Sequence, residues 1–142
     1  MKAQNQFVKV NASFYKKMEH LEDIVEDAVK EELISIAQSA VSFSPVDTGA
    51  YVTSFSFTTG AGRPRGKSSD NKPKKQNPQQ KMQEGFQNLL TDINKIDLKN
   101  TASVQLRNGS PHAYDVEEGK KGGKWRRTPG YKVFAKIRNI YG

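Results

Sequence analysis

The sequence predicts an α+β fold. A long N-terminal helix and a C-terminal helix pack on a small antiparallel sheet, and a long flexible basic insertion interrupts it. Three observations predict this. Apolar residues recur at helical spacing from about Ser13 to Ser42 and again after Tyr131. Short alternating runs, Tyr51–Thr59 and Ser103–Arg107, read as strands. Between them, Gly60–Pro78 holds Gly60, Gly62, Gly66, Pro64, Pro73 and Pro78 among Arg, Lys, Ser and Asn. The chain has 142 residues, the size of a single domain spanning 1–142.

In the first helix, Phe14, Met18, Leu21, Val25, Ala28, Ile36 and Ala40 form the apolar stripe, widened by Ile24, Leu33 and Ala37. Asn11 or Ser13 is the expected cap, and Pro45 ends the helix by pushing Ser44 out of the α region. A helix of roughly 28 residues is about 42 Å long, more than a small core covers, so part of its face is expected to meet another subunit. Tyr51, Thr53, Phe55 and Phe57 form one face of the first strand. The stretch of about 61–78 cannot bury enough apolar surface to offset its ordering entropy, and reads as a mobile arm.

Gln79–Asn94 is predicted helical through Met82, Phe86, Leu89, Leu90 and Ile93, with Gly85 weakening it by about 1 kcal/mol. Val104 and Leu106 point inward from the second strand, Asn108–Pro111 is a turn, and His112–Glu118 is a helical turn or short strand. A second basic, glycine-rich loop covers about 119–129. Thr128 is then expected to cap the closing helix, with Pro129 in its first turn and Val133, Phe134, Ile137, Ile140 and Tyr141 as its apolar face.

The net charge of +8 is segregated. Residues 1–60 and 82–118 are mildly acidic, at −3 each, whereas 61–81 carry +6 and 119–142 carry +8 with no acid at all. Such blocks attract polyanions or acidic protein surfaces. Cysteine is absent and histidine is limited to His20 and His112, which excludes disulfide frameworks, thiol nucleophiles and His- or Cys-rich metal sites. No apolar run reaches the length of a membrane span, and Met1–Phe7 lacks the apolar core of a signal peptide. A soluble cytoplasmic product is expected.

No catalytic constellation emerges. Ala61–Ser68 fits a relaxed phosphate-binding loop, but Pro73 and Pro78 follow, so no helix of useful length starts at Lys67-Ser68 to aim its N–H groups at phosphate. Glu117 and Glu118 are adjacent and diverge on any regular element. His20 reads as a solvated helix residue and His112 as a packed turn residue. The expectation is no enzyme, no cofactor and no metal.

Two short motifs are more informative. Ser44-Pro45-Val46-Asp47-Thr48-Gly49-Ala50-Tyr51, followed by Ser54, is a helix-to-strand corner. Asp47 suits an Asx-turn and Gly49 a positive φ. About 60 residues later comes His112-Ala113-Tyr114-Asp115-Val116-Glu117-Glu118-Gly119. Together they resemble the tail-completion, or neck, proteins of tailed bacteriophages, which join head to tail. That family shows Pro-x-Asp-Thr-Gly-x-Leu-x-x-Ser after an N-terminal helix, then Tyr-Ala-x-Tyr-Val-Glu-x-Gly, then a closing helix introduced by a proline. Pro45, Asp47, Thr48, Gly49 and Ser54 match the first motif; Ala113, Val116, Glu117 and Gly119 match the second; Pro129 fits the last feature. Tyr51 stands where the family has Leu, and His112 and Asp115 replace its aromatics. The likeness covers most of the chain outside 60–100.

The resemblance implies a structural virion protein of the neck or tail top, assembled in the host cytoplasm. It would form a homo-oligomeric ring, hexameric at the tail or dodecameric nearer the portal, touching connector, portal and tail proteins. The expected partner-binding cations are Arg63, Arg65, Lys72, Lys74, Lys75, Lys120, Lys121, Lys124, Arg126 and Arg127. They face an acidic surface, such as Glu19, Glu22, Asp23 and Glu26 of a neighbour, or make non-specific contact with genomic DNA. The alternative is a basic nucleic-acid-binding module in which Trp125 and Tyr131 stack on bases.

Overall fold

The structure, a computed structural model, describes residues 6–11, 22–46, 49–66, 77–120 and 128–142. Strand β1 (Gln6–Asn11) precedes helix α1 (Glu22–Phe43). A 3-10 turn, Val52–Ser54, leads into β2 (Phe55–Thr58). Helix α2 (Pro78–Lys95) follows, then a 3-10 turn at Leu98–Asn100 and β3 (Ser103–Asn108). The chain closes with α3 (Ala113–Glu118), a ribbon of β4 (Gly119–Lys120) and β5 (Thr128–Pro129), and α4 (Val133–Tyr141).

The main sheet has the order β1-β3-β2, antiparallel throughout. The alternation in β3 buries Val104 and Leu106. Together with Phe55, Phe57, Leu89, Ile93, Val133, Phe134 and Ile137, they close over the Val29, Leu33, Ile36, Ala37 and Ala40 stripe of α1. The α+β architecture and the packing of both helices on an antiparallel sheet therefore match the sequence pattern.

Several local expectations are corrected. Asn11, one of the two expected caps, is the last residue of β1, opposite Ser103, and Ser13 and the predicted first turns of the helix lie outside the described residues. Ala28 is exposed and Val29 takes its place in the stripe. The strand expected from Tyr51 starts only at Phe55, because the Thr53 and Ser54 hydroxyls bond back to the Gly49 and Ala50 carbonyls and wind the segment into a 3-10 turn. Thr128 and Pro129 sit in β5, and α4 begins at Val133 after Lys132 in a left-handed conformation, φ 54°. Ile140 faces solvent at 58% exposure rather than joining the apolar face.

The insertion is shorter than predicted. Gly62 N–H donates to the Thr59 carbonyl, and Arg65 N–H donates to Ser56 Oγ at 2.8 Å, so residues up to Gly66 fold back over β2. At the other end, Asn77 caps α2 by accepting from Gln80 N–H, with Pro78 as the first helical residue. Residues 67–76 lie outside the described part.

Candidate assembly surface

Both motif segments turn corners. Ser44 Oγ donates to the Ala40 carbonyl at the end of α1, ahead of Pro45. Asp47 and Thr48 lie outside the described residues. Gly49 has φ +89°, and its carbonyl accepts from Thr53 Oγ1 at 2.6 Å and from Thr53 N–H at 3.2 Å. Ser54 is buried; its hydroxyl donates to the Ala50 carbonyl and its own carbonyl accepts from Gly109 N–H.

In the second motif, the Val116 carbonyl accepts from Tyr131 N–H at 2.7 Å, and the Glu117 carbonyl accepts from Lys132 N–H. Gly119 ends α3 with φ +89°. Glu117 is 2% exposed, and its carboxylate accepts from Phe134 N–H at 2.9 Å and Ala135 N–H at 3.1 Å. These amides belong to the first turn of α4, where the N-cap residue Lys132 makes no side-chain cap. A carboxylate from α3 thus does the work predicted for Thr128, and its charge also suits the positive end of the helix.

Asn108 joins the two corners. It is fully buried; its Nδ2 donates to the Tyr51 carbonyl at 2.8 Å and its Oδ1 accepts from Ser110 N–H. Ser110 Oγ in turn accepts from His112 N–H, at the start of α3. The Tyr51 ring meets Phe55 edge-on at 5.2 Å, and Phe55 packs on Phe134 at 5.9 Å. The Tyr51 hydroxyl is buried with no partner among the described residues. Burial pushes it well above the usual tyrosine range, and the nearby Glu117 charge adds to this. The two motifs meet in a buried joint, where the polar side chains of Ser54 and Glu117 hold the fold, whereas His112, Tyr114 and Glu118 of the second motif are exposed, His112 contrary to the packed turn residue expected.

The basic residues divide. Arg63 is exposed. Arg65 is not available to a partner as predicted: Nη1 and Nη2 grip Asp92 at 2.9 and 2.6 Å, and Nη1 also donates to the Phe55 carbonyl at 2.6 Å. Asp92 Oδ2 accepts from Phe57 N–H as well, so this pair satisfies the outward backbone groups of β2. Lys120 belongs to β4, whose antiparallel pairing with β5 makes a hairpin stem of Gly119–Lys120 and Thr128–Pro129. Lys72, Lys74, Lys75, Lys121, Lys124, Arg126 and Arg127, with Trp125, lie outside the described residues.

What the described surface offers is beside the joint. Tyr114 and Tyr131 are each 46% exposed. Lys132 bonds Glu118 at 2.7 Å, a contact that holds its ammonium above the usual lysine range. On α1, Asp27, Glu31 and Glu32 are exposed; the predicted acidic residue Glu19 and the Glu22 and Asp23 side chains are not described. A cleft of about 240 Å³ lies among Thr53, Ser54, Arg65, Gly66, Glu84 and Asn88, but Arg65 is paired with Asp92 and Glu84 with Lys81. Among the described residues, no three His, Cys, Asp or Glu side chains gather as a metal site, and no helix is long and apolar enough to cross a membrane.

Sequence reasoning missed Asp92, Asn108 and Asn88, whose Nδ2 donates to the Thr53 carbonyl. It also missed the reason for Gly85: a Cβ there would lie 2.3 Å from the Val52 carbonyl oxygen, so the glycine lets the 3-10 turn pack against α2. The available signal was a glycine in a helix otherwise well supported by periodicity.

Comparison with protein-family models, curated proteins and solved structures finds no match for this chain.

Proposed function

We propose that the chain is a structural virion protein of the bacteriophage neck, forming a ring that joins the head and portal to the tail. The observation that carries this reading is the buried joint itself. The segments that resemble the two neck-protein motifs lie 60 residues apart in sequence and are tied together through Asn108 and the Tyr51–Phe55–Phe134 stack. A shared motif pair is most easily understood when both halves build one corner. Exposed Tyr114 and Tyr131 beside the hairpin stem, and the acidic α1 against the basic 119–142 segment, supply material for head-to-tail contacts between copies. On this reading the protein performs no catalysis and assembles in the host cytoplasm.

Purified particles of the encoding phage, analysed by protein mass spectrometry and imaged by electron cryomicroscopy, test the proposal. The expected result is a closed ring of this chain at the neck or tail top, six copies at the tail or twelve next to the portal. Particles that lack the chain overturn it. So does a monomeric protein whose DNA affinity falls steeply with salt, which is the behaviour of the nucleic-acid-binding alternative.

A further inference from the structure

Asn108-Gly109 is the one Asn-Gly pair in the sequence, and the fold has a separate use for each half. Asn108 is fully buried at the end of the central strand β3, opposite Gln6 of β1 and Phe55 of β2. Its carboxamide donates from Nδ2 to the Tyr51 carbonyl and accepts at Oδ1 from Ser110 N–H. A site that needs one donor and one acceptor on a short side chain suits asparagine, and an ionised aspartate lacks the donor. At position 109 a Cβ would overlap the Arg65 carbonyl, so close packing demands glycine. The same two residues make the dipeptide most open to self-modification, because a glycine amide is the least hindered nucleophile that can follow an asparagine carboxamide.

We propose that Asn108 is a self-modification site held shut by the joint: the carboxamide is kept while the joint is closed, and in chains that open it is converted irreversibly to aspartate or isoaspartate. In the open chain, hydroxide removes the Gly109 amide proton and the nitrogen attacks Asn108 Cγ. The new N–Cγ bond forms, the Cγ–Nδ2 bond breaks, and ammonia leaves. Water then opens the resulting succinimide at one of its two carbonyls. One water is consumed and one ammonia released, with no oxidation or reduction. In the closed joint every participant is engaged. Gly109 N–H donates to the Ser54 carbonyl at 3.0 Å, and both ends of the carboxamide are bonded. The pairing with β1 and β2 and the contact with the Arg65–Gly66 backbone fix the peptide, whose rotation the attack requires. The product does not fit back. Aspartate sets a carboxylate oxygen against the Tyr51 carbonyl oxygen in a fully buried site, and isoaspartate adds a methylene to the backbone of the central strand. One opening of sufficient length therefore withdraws the subunit permanently. This inference stands on the joint alone and does not depend on the neck assignment.

The test ages the full chain at one neutral pH and one temperature, in buffer and in guanidinium chloride, and reads conversion at each asparagine by peptide mass spectrometry. In denaturant, Asn108 should convert before any other asparagine of the chain. In buffer its rate should fall by at least about a hundredfold, since the attack then waits for an opening. Gly49→Val strains the first corner without touching Asn108 or Gly109, and should convert in buffer about fivefold faster than wild type or more. After transfer from denaturant back to buffer, ion exchange separates chains that have gained the acid from those that have not. The modified fraction should melt below the unmodified one, and Asn108→Asp made directly should also melt below wild type. Equal rates in buffer and denaturant would mean that the fold does not guard the site. Another asparagine converting first would mean that Asn108 is not the susceptible one. A Gly49→Val rate equal to wild type would mean that the joint is not the gate, and a modified fraction that melts like the unmodified one would mean that the change is harmless; each of these overturns the proposal.

Discussion

The Glu117 carboxylate accepts the Phe134 amide across 17 residues of sequence, and with the Ala135 amide this is the N-terminal cap of α4. The cap is therefore a tertiary contact: α4 is fully capped only when α3 is in place. Glu117→Ala strands two amides at a helix start buried against Phe55. It should lower stability by about 1–3 kcal/mol in urea denaturation. Glu117→Gln keeps one good acceptor without the charge and should fall between wild type and the alanine variant. Equal stability of all three would show that α4 does not need this carboxylate.

Tyr51 connects the same joint to pH. Its folded-state ionisation is raised, first by burial and then by Glu117. The unfolded chain loses the tyrosine proton near pH 10, while the folded chain retains it. Stability is thus fully present below about pH 10 and declines as the pH rises further, because the unfolded state then binds fewer protons. Tyr51→Phe should remove this share of the alkaline loss. At neutral pH it should match wild type or exceed it by up to about 1 kcal/mol, since the buried hydroxyl has no partner among the described residues. Melting curves of both proteins from pH 7 to pH 11 give the comparison.

Glycine substitutions separate two causes of the same residue choice. Gly49→Val puts a β-branched side chain at φ +89° and a Cβ 2.6 Å from Lys81 Cδ. The lysine can move but the backbone cannot, so a loss of about 1–2 kcal/mol or more is expected. Gly85→Ala, in a helix interior, ordinarily gains about 1 kcal/mol. Here the added Cβ meets the Val52 carbonyl oxygen at 2.3 Å, so the sign should reverse and the melting temperature should fall. A stabilised Gly85→Ala protein would place the 3-10 turn farther from α2.

The residues that periodicity describes were legible in the sequence. Leu33, Ile36, Ala37 and Ala40 in α1, Leu89 and Ile93 in α2, and Val104 and Leu106 in β3 are buried as their spacing demands. Gly49 was readable as a positive-φ position because so few residues fit a corner of that kind. Strand β1 was not read: a six-residue segment with Lys9 at its centre gains its identity from pairing with β3, a contact about 100 residues away. The same holds for Arg65, which looks like any other cation in a basic stretch until Asp92 is placed beside it. The capping of α4 was assigned to the nearest threonine because local rules favour neighbours, whereas the fold brings in Glu117 from another helix.

Arg65 and its basic neighbours make a final contrast. Arg65→Ala removes a bidentate partner from Asp92, which is only 12% exposed at its side chain, and leaves the Phe55 carbonyl without its donor. A loss of about 2–3 kcal/mol is expected, as for other hydrogen bonds to partly buried charges. Arg63 is exposed, and Lys72, Lys74 and Lys75 lie in a stretch with no apolar residue to pack. Replacing these four with Glu should move stability by no more than about 0.5 kcal/mol. If the insertion contacts an acidic neighbour, the quadruple variant should nonetheless assemble poorly, and wild-type assembly should weaken with salt, since exposed charges are screened beyond about 8 Å at physiological ionic strength. Sedimentation of both proteins across a salt series, with melting measured on the same samples, separates folding from assembly. A quadruple variant that assembles like wild type would reduce the insertion to a solvated loop. Loss of DNA binding with normal assembly would shift its role to the genome.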